Sequence, residues 1–136
     1  RLGRAPGPMR PYLGKPLEPA RFRYVGIQVG DDGDWELQRE LDLQRLAPQA
    51  AIDGPVHIHF DLDALDPLEF PYVAYPDGKL RIDDAIALVG RIAREADLVG
   101  FTVTEFAPAN EHEARAGSRV IERLCEAAVA PPSQAK

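Results

Sequence analysis

The sequence predicts an α/β protein with a mainly parallel sheet, and three observations support this fold class. Segments rich in β-branched and aromatic residues are typical of strands, stretches with apolar residues at helical spacing follow them, and turn residues separate the two. Strands that alternate with helices favour right-handed βαβ crossovers, which place helices on both faces of a parallel sheet. We therefore expect a three-layer α/β/α arrangement.

The first strand and helix follow a proline-rich segment. Residues 22–29 predict a strand, and residues 30–34, rich in glycine and aspartate, predict a turn. A helix is expected over residues 35–46, with Asp34 as its N-cap and Pro48 beyond its end.

The later elements repeat this alternation. Asp83 and Asp84 fall in the first turn of the second helix, where the helix dipole favours negative charge. The loop before that helix contains Asp66, whose carboxylate we expect to accept hydrogen bonds from loop N–H groups. The expected elements are a strand at 56–62, a helix at 82–95, a strand at 98–104 and a helix at 113–128.

Composition limits the class of protein. The 136 residues carry a net charge of −6, which argues against nucleic acid or an anionic membrane as the main partner, and no apolar run is long enough to cross a bilayer. Cys125 is the only cysteine, so we expect a reducing, cytoplasmic environment. The expected organisation is a proline-rich arm at 1–20, one domain at 21–129 and a disordered tail at 130–136.

Carboxylates follow two of the predicted strands. In parallel α/β sheets ligands bind outside the carboxyl ends of the strands, and Asp61, Asp63 and Glu105 all fall at such ends. Strand alternation would place His57, His59 and both aspartates on one face. Two ionised carboxylates that lie close together repel each other unless a cation offsets the repulsion, so a metal site is one reading and an ordinary aspartate-rich turn is the other.

The stretch after the second strand resembles a metal-binding signature of the arginase/agmatinase (ureohydrolase) family. It reads Phe60-Asp61-Leu62-Asp63-Ala64-Leu65-Asp66-Pro67, and residues 98–108 resemble the family's next strand with its terminal glutamate. The resemblance covers roughly residues 22–128. It implies an arginase-like fold and the hydrolysis of a guanidino or related amidino C–N bond by a metal-bridging hydroxide between two Mn²⁺ ions.

The resemblance also implies roles for individual residues. Asp61 would bridge the two metal ions, Asp63 would bind one of them, and Glu105 would bind the guanidinium of a small substrate. We expect His57 and His59 to be buried and hydrogen-bonded near the aspartates rather than to act as ligands.

The sequence departs from the family pattern in one important respect. The family takes further metal ligands from an upstream histidine and an Asp-x-His-x-Asp segment, and neither occurs here. We therefore expect a C-terminal half of the fold, inactive alone, that needs a missing N-terminal half or forms homo-oligomers. The alternatives are a non-catalytic metal-binding or interaction domain with this fold, and an unrelated doubly wound domain. The last is disfavoured because no glycine-rich nucleotide-binding loop is present.

Overall fold

The computed structural model describes Gly14, residues 17–26 and residues 32–129. The chain divides into two compact units, with the boundary in the sequence between Pro48 and Gln49. Most of the predicted arm, apart from Gly14 and residues 17–20, and the whole predicted tail lie outside the described residues. Across the residues that are described, no helix is both long and apolar enough to span a bilayer.

The described residues of the first unit form two short parallel strands and one helix. A 3-10 turn at Pro19–Arg21 leads into β1 (Arg23–Val25), and β1 pairs in parallel with β2 (Gln44–Leu46). Helix α1 (Asp32–Glu40) lies between them in the sequence. The parallel pairing was predicted, but β2 was not.

The predicted bounds of α1 were wrong at both ends. The helix begins at Asp32, so Asp34 lies in its first turn and is not the N-cap. It ends before Asp42, which takes a left-handed backbone with a φ of 48°. The N–H of Asp42 donates to the Arg39 carbonyl at 3.3 Å, and the next N–H along donates to the Gln38 carbonyl at 2.9 Å. These two bonds form a Schellman motif, which ends the helix, and the chain then continues into β2.

Within residues 49–129, the second unit is built on two longer parallel strands and two helices. Strand β3 (Pro55–Asp61) pairs with β4 (Asp97–Thr104), and the crossover between them contains α2 (Ile82–Glu95). Helix α3 (Glu111–Val129) follows β4. The predicted bounds of α2 are confirmed, and those of β3 and β4 differ from the prediction by one residue.

Local hydrogen bonds explain where the helices of this unit begin. Glu69 accepts from the Ile82 N–H at 2.8 Å and from Arg81 at 3.0 Å, and these two bonds lower the pKa of the Glu69 carboxyl. At α3, the Asn110 side-chain oxygen accepts from the Glu113 N–H at 3.0 Å, and the Glu113 carboxylate accepts from the Asn110 side-chain amide at 2.9 Å and from the Ala109 N–H at 2.8 Å. With Asn110 as its N-cap, α3 starts two residues before the predicted position.

One apolar core holds the second unit together. It joins the end of β3, the following loop and the inner faces of α2 and α3. Burying each large side chain stabilises the fold by about 1.5–3 kcal/mol. The largest fully buried side chains are Phe70, Leu62, Leu65, Leu124 and Val89.

The loop between β3 and α2 is fixed by backbone hydrogen bonds. Asp66 accepts from the Leu68 N–H through its carboxylate at 2.9 Å, which confirms its predicted role, and its own N–H donates to the Leu80 carbonyl at 2.8 Å. The Leu80 N–H in turn donates to the Ala64 carbonyl at 3.0 Å. The loop therefore returns to the chain just beyond the end of β3.

Helices do not cover both faces of the β3–β4 sheet within the second unit. Phe60 and its neighbours on one face join the core with α2 and α3, whereas His57, His59 and Asp61 on the other face are exposed. Val99 on β4 is also 63% exposed. Both helices of this unit contribute to the same core.

Candidate metal and substrate site

Asp61 and Asp63 lie at the carboxyl end of β3, but only Asp61 belongs to the strand. The chain turns after Asp61 into a single 3-10 turn (Leu62–Ala64), so strand alternation does not orient Asp63. The Asp61 carboxylate accepts the Asp63 N–H at 2.9 Å and caps this turn. Leu62, the first residue of the turn, and Leu65, the residue after it, are both fully buried and hold the turn in place.

Asp63 has an unusual environment for a carboxylate. One of its oxygens, Oδ1, is buried and has no hydrogen-bond partner among the described atoms. Burial raises the pKa of Asp63, and the negative charge of Asp61 raises it further, while a hydrogen bond from the Tyr75 backbone opposes them. Glu105 and Asp77 add smaller upward contributions to the same pKa. The ionised form of Asp63 is therefore disfavoured unless positive charge is supplied.

Glu105 leaves β4 at the same edge of the sheet. Thr104, which precedes it, lies opposite Asp61 in the parallel register, so the two strands end side by side. Glu105 is exposed and its φ is 66°, in the left-handed region. For a residue with a Cβ this conformation costs on the order of 1 kcal/mol, and such strain is concentrated at functional sites.

The two aspartates fit a divalent cation as part of a ligand set. A buried carboxylate oxygen without a hydrogen-bond donor is chemically suited to a hard cation, which prefers oxygen ligands. Among the residues that the structure describes, no group of three or more His, Cys, Asp or Glu side chains is arranged to hold a metal ion.

The structure corrects the expectation for His57 and His59. Both histidines are exposed rather than buried, because they lie on the sheet face away from the core. They are hydrogen-bonded, as expected, but to threonines of β4. His57 Nε2 lies 2.9 Å from the Thr102 hydroxyl, and His59 Nε2 lies 3.2 Å from that of Thr104.

Sequence reasoning missed the loop that borders Asp63. Asp77 contributes negative charge there, and Gly78 packs so closely that a Cβ on it would lie 2.3 Å from the Asp63 carbonyl oxygen. No local pattern signals these contacts, because they join residues 14 and 15 positions apart across an irregular loop.

The raised pKa of Asp63 predicts a measurable effect of Asp63→Asn on the metal-free chain. A raised folded-state pKa means that the ionised carboxylate opposes folding, so this penalty is absent below the unfolded pKa of about 3.9 and grows as the pH rises through the folded pKa. With EDTA present, the variant should therefore be more stable than wild type at pH 7, and the difference should shrink toward pH 4.

Urea unfolding at several pH values measures this effect. Asp53→Asn, at an exposed aspartate before the amino end of β3, is the matched control and should show no such trend. Lower stability of Asp63→Asn at pH 7 would contradict the prediction.

Comparison with known proteins tests the resemblance independently. Residues 8–130 match the sequence model of the Arginase family. The chain belongs to the arginase family. Among curated proteins, an arginase of Eremothecium gossypii is 28% identical, with 68% of this chain and 28% of that protein covered. An arginase of Saccharomyces cerevisiae is 24% identical, with 68% and 34% covered.

Solved structures support the arginase fold. An arginase of Entamoeba histolytica in complex with L-ornithine aligns with a TM-score of 0.76 at 16% identity, covering 95% of this chain and 49% of that one. An arginase of Bacillus caldovelox gives 0.68 at 20% identity, with 87% and 46% covered. The predicted partial arginase-like α/β/α fold is thus confirmed. The chain spans about half the length of these solved arginases and about a third or less of the curated relatives.

Proposed function

We propose that this chain supplies part of a ureohydrolase active site. In this proposal Asp61 and Asp63 hold divalent cations, with Mn²⁺ the expected metal, and Glu105 binds the guanidino group of a small substrate such as arginine or agmatine. The observation that carries the proposal is the buried, unpartnered Asp63 Oδ1 beside the Asp61 carboxylate in a chain of the arginase family. Oxygen donors are compatible with Mn²⁺ among the divalent transition metals.

The proposed reaction is hydrolysis of a guanidino C–N bond. A water oxygen forms a bond to the guanidino carbon, the bond from that carbon to the alkyl nitrogen breaks, and the two protons of the water end on that nitrogen, so that the products are urea and an alkylammonium ion. Divalent cations, when bound, supply the positive charge that makes water acidic at neutral pH. Asp61 and Asp63 contribute to this chemistry by holding the cations at the edge of the sheet.

Glu105 is suited to the substrate rather than to the metal. A guanidinium presents a planar set of N–H donors that a carboxylate can accept in pairs. Glu105 is exposed, follows directly after β4 and lies at the same sheet edge as Asp61. Its carboxylate would therefore orient the guanidino carbon relative to the two aspartates.

The complete site requires ligands that the sequence does not contain. The family's Asp-x-His-x-Asp segment is absent from the 136 residues. We propose that the remaining ligands come from a preceding segment of a longer protein or from another chain that carries them. The expected setting is the cytoplasm, since Cys125 is the only cysteine and is not in a disulfide.

A second candidate is a non-catalytic metal-binding or interaction domain that keeps the arginase fold. The finding that favours it is that no three potential ligands come together in the described part of the chain. Such a domain would bind Mn²⁺ weakly and would release no urea after the missing ligands are added.

Mn²⁺ titration of the 136-residue chain, followed by the electron paramagnetic resonance signal of free Mn²⁺, tests the metal site. Because only two carboxylates are provided, we expect a Kd of about 0.1–1 mM. Asp63→Asn should weaken binding about tenfold or more, and Asp53→Asn should not change it. Equal Mn²⁺ affinity in Asp63→Asn and wild type would contradict the assignment of Asp63.

A further inference from the structure

Two cross-strand hydrogen bonds lie on the exposed face of the β3–β4 sheet. His57 lies opposite Gly100 in the register, yet it bonds to Thr102, and His59 lies opposite Thr102, yet it bonds to Thr104. Each histidine therefore reaches diagonally along β4 toward the carboxyl end of the sheet. Gly100 provides the space for the first imidazole, since a Cβ there would lie 2.5 Å from His57 Nδ1.

The two histidine–threonine pairs differ in what they adjoin. The His57–Thr102 pair lies within the sheet. The His59–Thr104 pair lies at its end, and the residue after Thr104 is Glu105, whose φ of 66° requires support from its surroundings. A hydrogen bond that fixes the Thr104 side chain to the neighbouring strand restrains the backbone directly before this strained residue.

We propose that the His59–Thr104 hydrogen bond is a positioning device that holds Glu105 in its left-handed conformation and so directs its carboxylate. His59 and Thr104 are positioning residues and make no contact with substrate. The effect on substrate binding rests on the function proposed above, whereas the effect on the backbone of Glu105 does not. The His57–Thr102 pair serves as an internal control, because it is of the same kind on the same face and does not adjoin Glu105.

Thr104→Val tests the proposal in the 136-residue chain. Valine has nearly the same shape as threonine and suits a strand, so the substitution removes the hydroxyl with little other change. The first readout is the nuclear Overhauser effect between the amide proton and Hα of Glu105, which is strong when φ is positive because the two protons are then close. We expect this signal to weaken in Thr104→Val and to stay at the wild-type level in Thr102→Val.

The second readout is agmatine binding, followed by the amide shifts of Glu105. Thr104→Val should bind about threefold to tenfold more weakly, the range that corresponds to one lost hydrogen bond. Thr102→Val should bind as wild type does. His59→Ala should reproduce the effect of Thr104→Val, and the double variant should show no further loss, because both single changes remove the same bond.

The possible outcomes separate the two proposals. An unchanged Glu105 signal in Thr104→Val, or an equal loss in Thr102→Val, would overturn the positioning role, since the pairs would then be ordinary strand contacts. No response of wild-type Glu105 to agmatine would contradict the proposed substrate role, while the Overhauser signal would still decide the positioning role. If Thr104→Val does not fold, His59→Ala provides the same comparison.

Discussion

Replacement of Asp61 by asparagine is expected to lower urea release about 1000-fold or more in a chimera that joins this chain to the amino-terminal part of an arginase relative. The substitution removes the negative charge proposed to hold the cations. Asparagine keeps an oxygen that can accept the Asp63 N–H, the bond that measures 2.9 Å and caps the 3-10 turn. The turn should therefore persist, and the loss of activity should report the lost charge.

Asp66→Asn is a closely matched control for this experiment. The Asp66 carboxylate also accepts the N–H two residues further along the chain, at 2.9 Å, but Asp66 is not assigned to the metal or the substrate. Urea release from arginine and from agmatine with Mn²⁺ should stay within a few-fold of wild type in Asp66→Asn. Near-wild-type turnover in Asp61→Asn would exclude Asp61 as an essential ligand.

Gly78→Ala is expected to destabilise the second unit by about 3 kcal/mol, at the upper end of what overpacking usually costs. The new Cβ would lie 2.3 Å from the Ala64 carbonyl carbon and from the Asp63 carbonyl oxygen. Those atoms belong to the backbone and cannot rotate away. The two hydrogen bonds that join Leu80 to Ala64 and to Asp66 keep the loop from retreating without further loss.

Because this clash falls on the turn that contains Asp63, Gly78→Ala should also weaken Mn²⁺ binding. Urea unfolding and Mn²⁺ titration of the same variant measure the two effects together. Gly14→Ala is a suitable control, since a Cβ at Gly14 would meet nothing within 4 Å. Wild-type stability in Gly78→Ala would mean that the loop does not pack against the turn as described.

Helices with a regular apolar stripe and strands with a long β-branched run were predictable from the sequence. The bounds of α2 matched because Ala85, Val89 and Ile92 recur at helical spacing and are all buried. The end of α1 was missed because Asp42 occupies the left-handed position of the Schellman motif where glycine is the usual signal. An aspartate at that position looks like any other polar helix residue, so β2 could not be predicted from the residue pattern.

The arrangement of the candidate site was predictable only in part. A carboxylate after each of two neighbouring parallel strands was sufficient to place Asp61 and Glu105 at one edge. The exposure of His57 and His59 was not predictable, because strand alternation shows that they share a face but not which face the helices cover. The approach of Gly78 to Asp63 depends on the path of an irregular loop, which has no periodicity to interpret.

The pairing of β3 with β4 has a consequence for how the second unit folds. Their partner residues are about forty positions apart in the chain. Closing this long loop costs conformational entropy before the contacts between the strands can stabilise the unit. Helix α2 needs only local contacts to begin forming. The edge that brings Asp61 and Glu105 together is therefore expected to form late in folding.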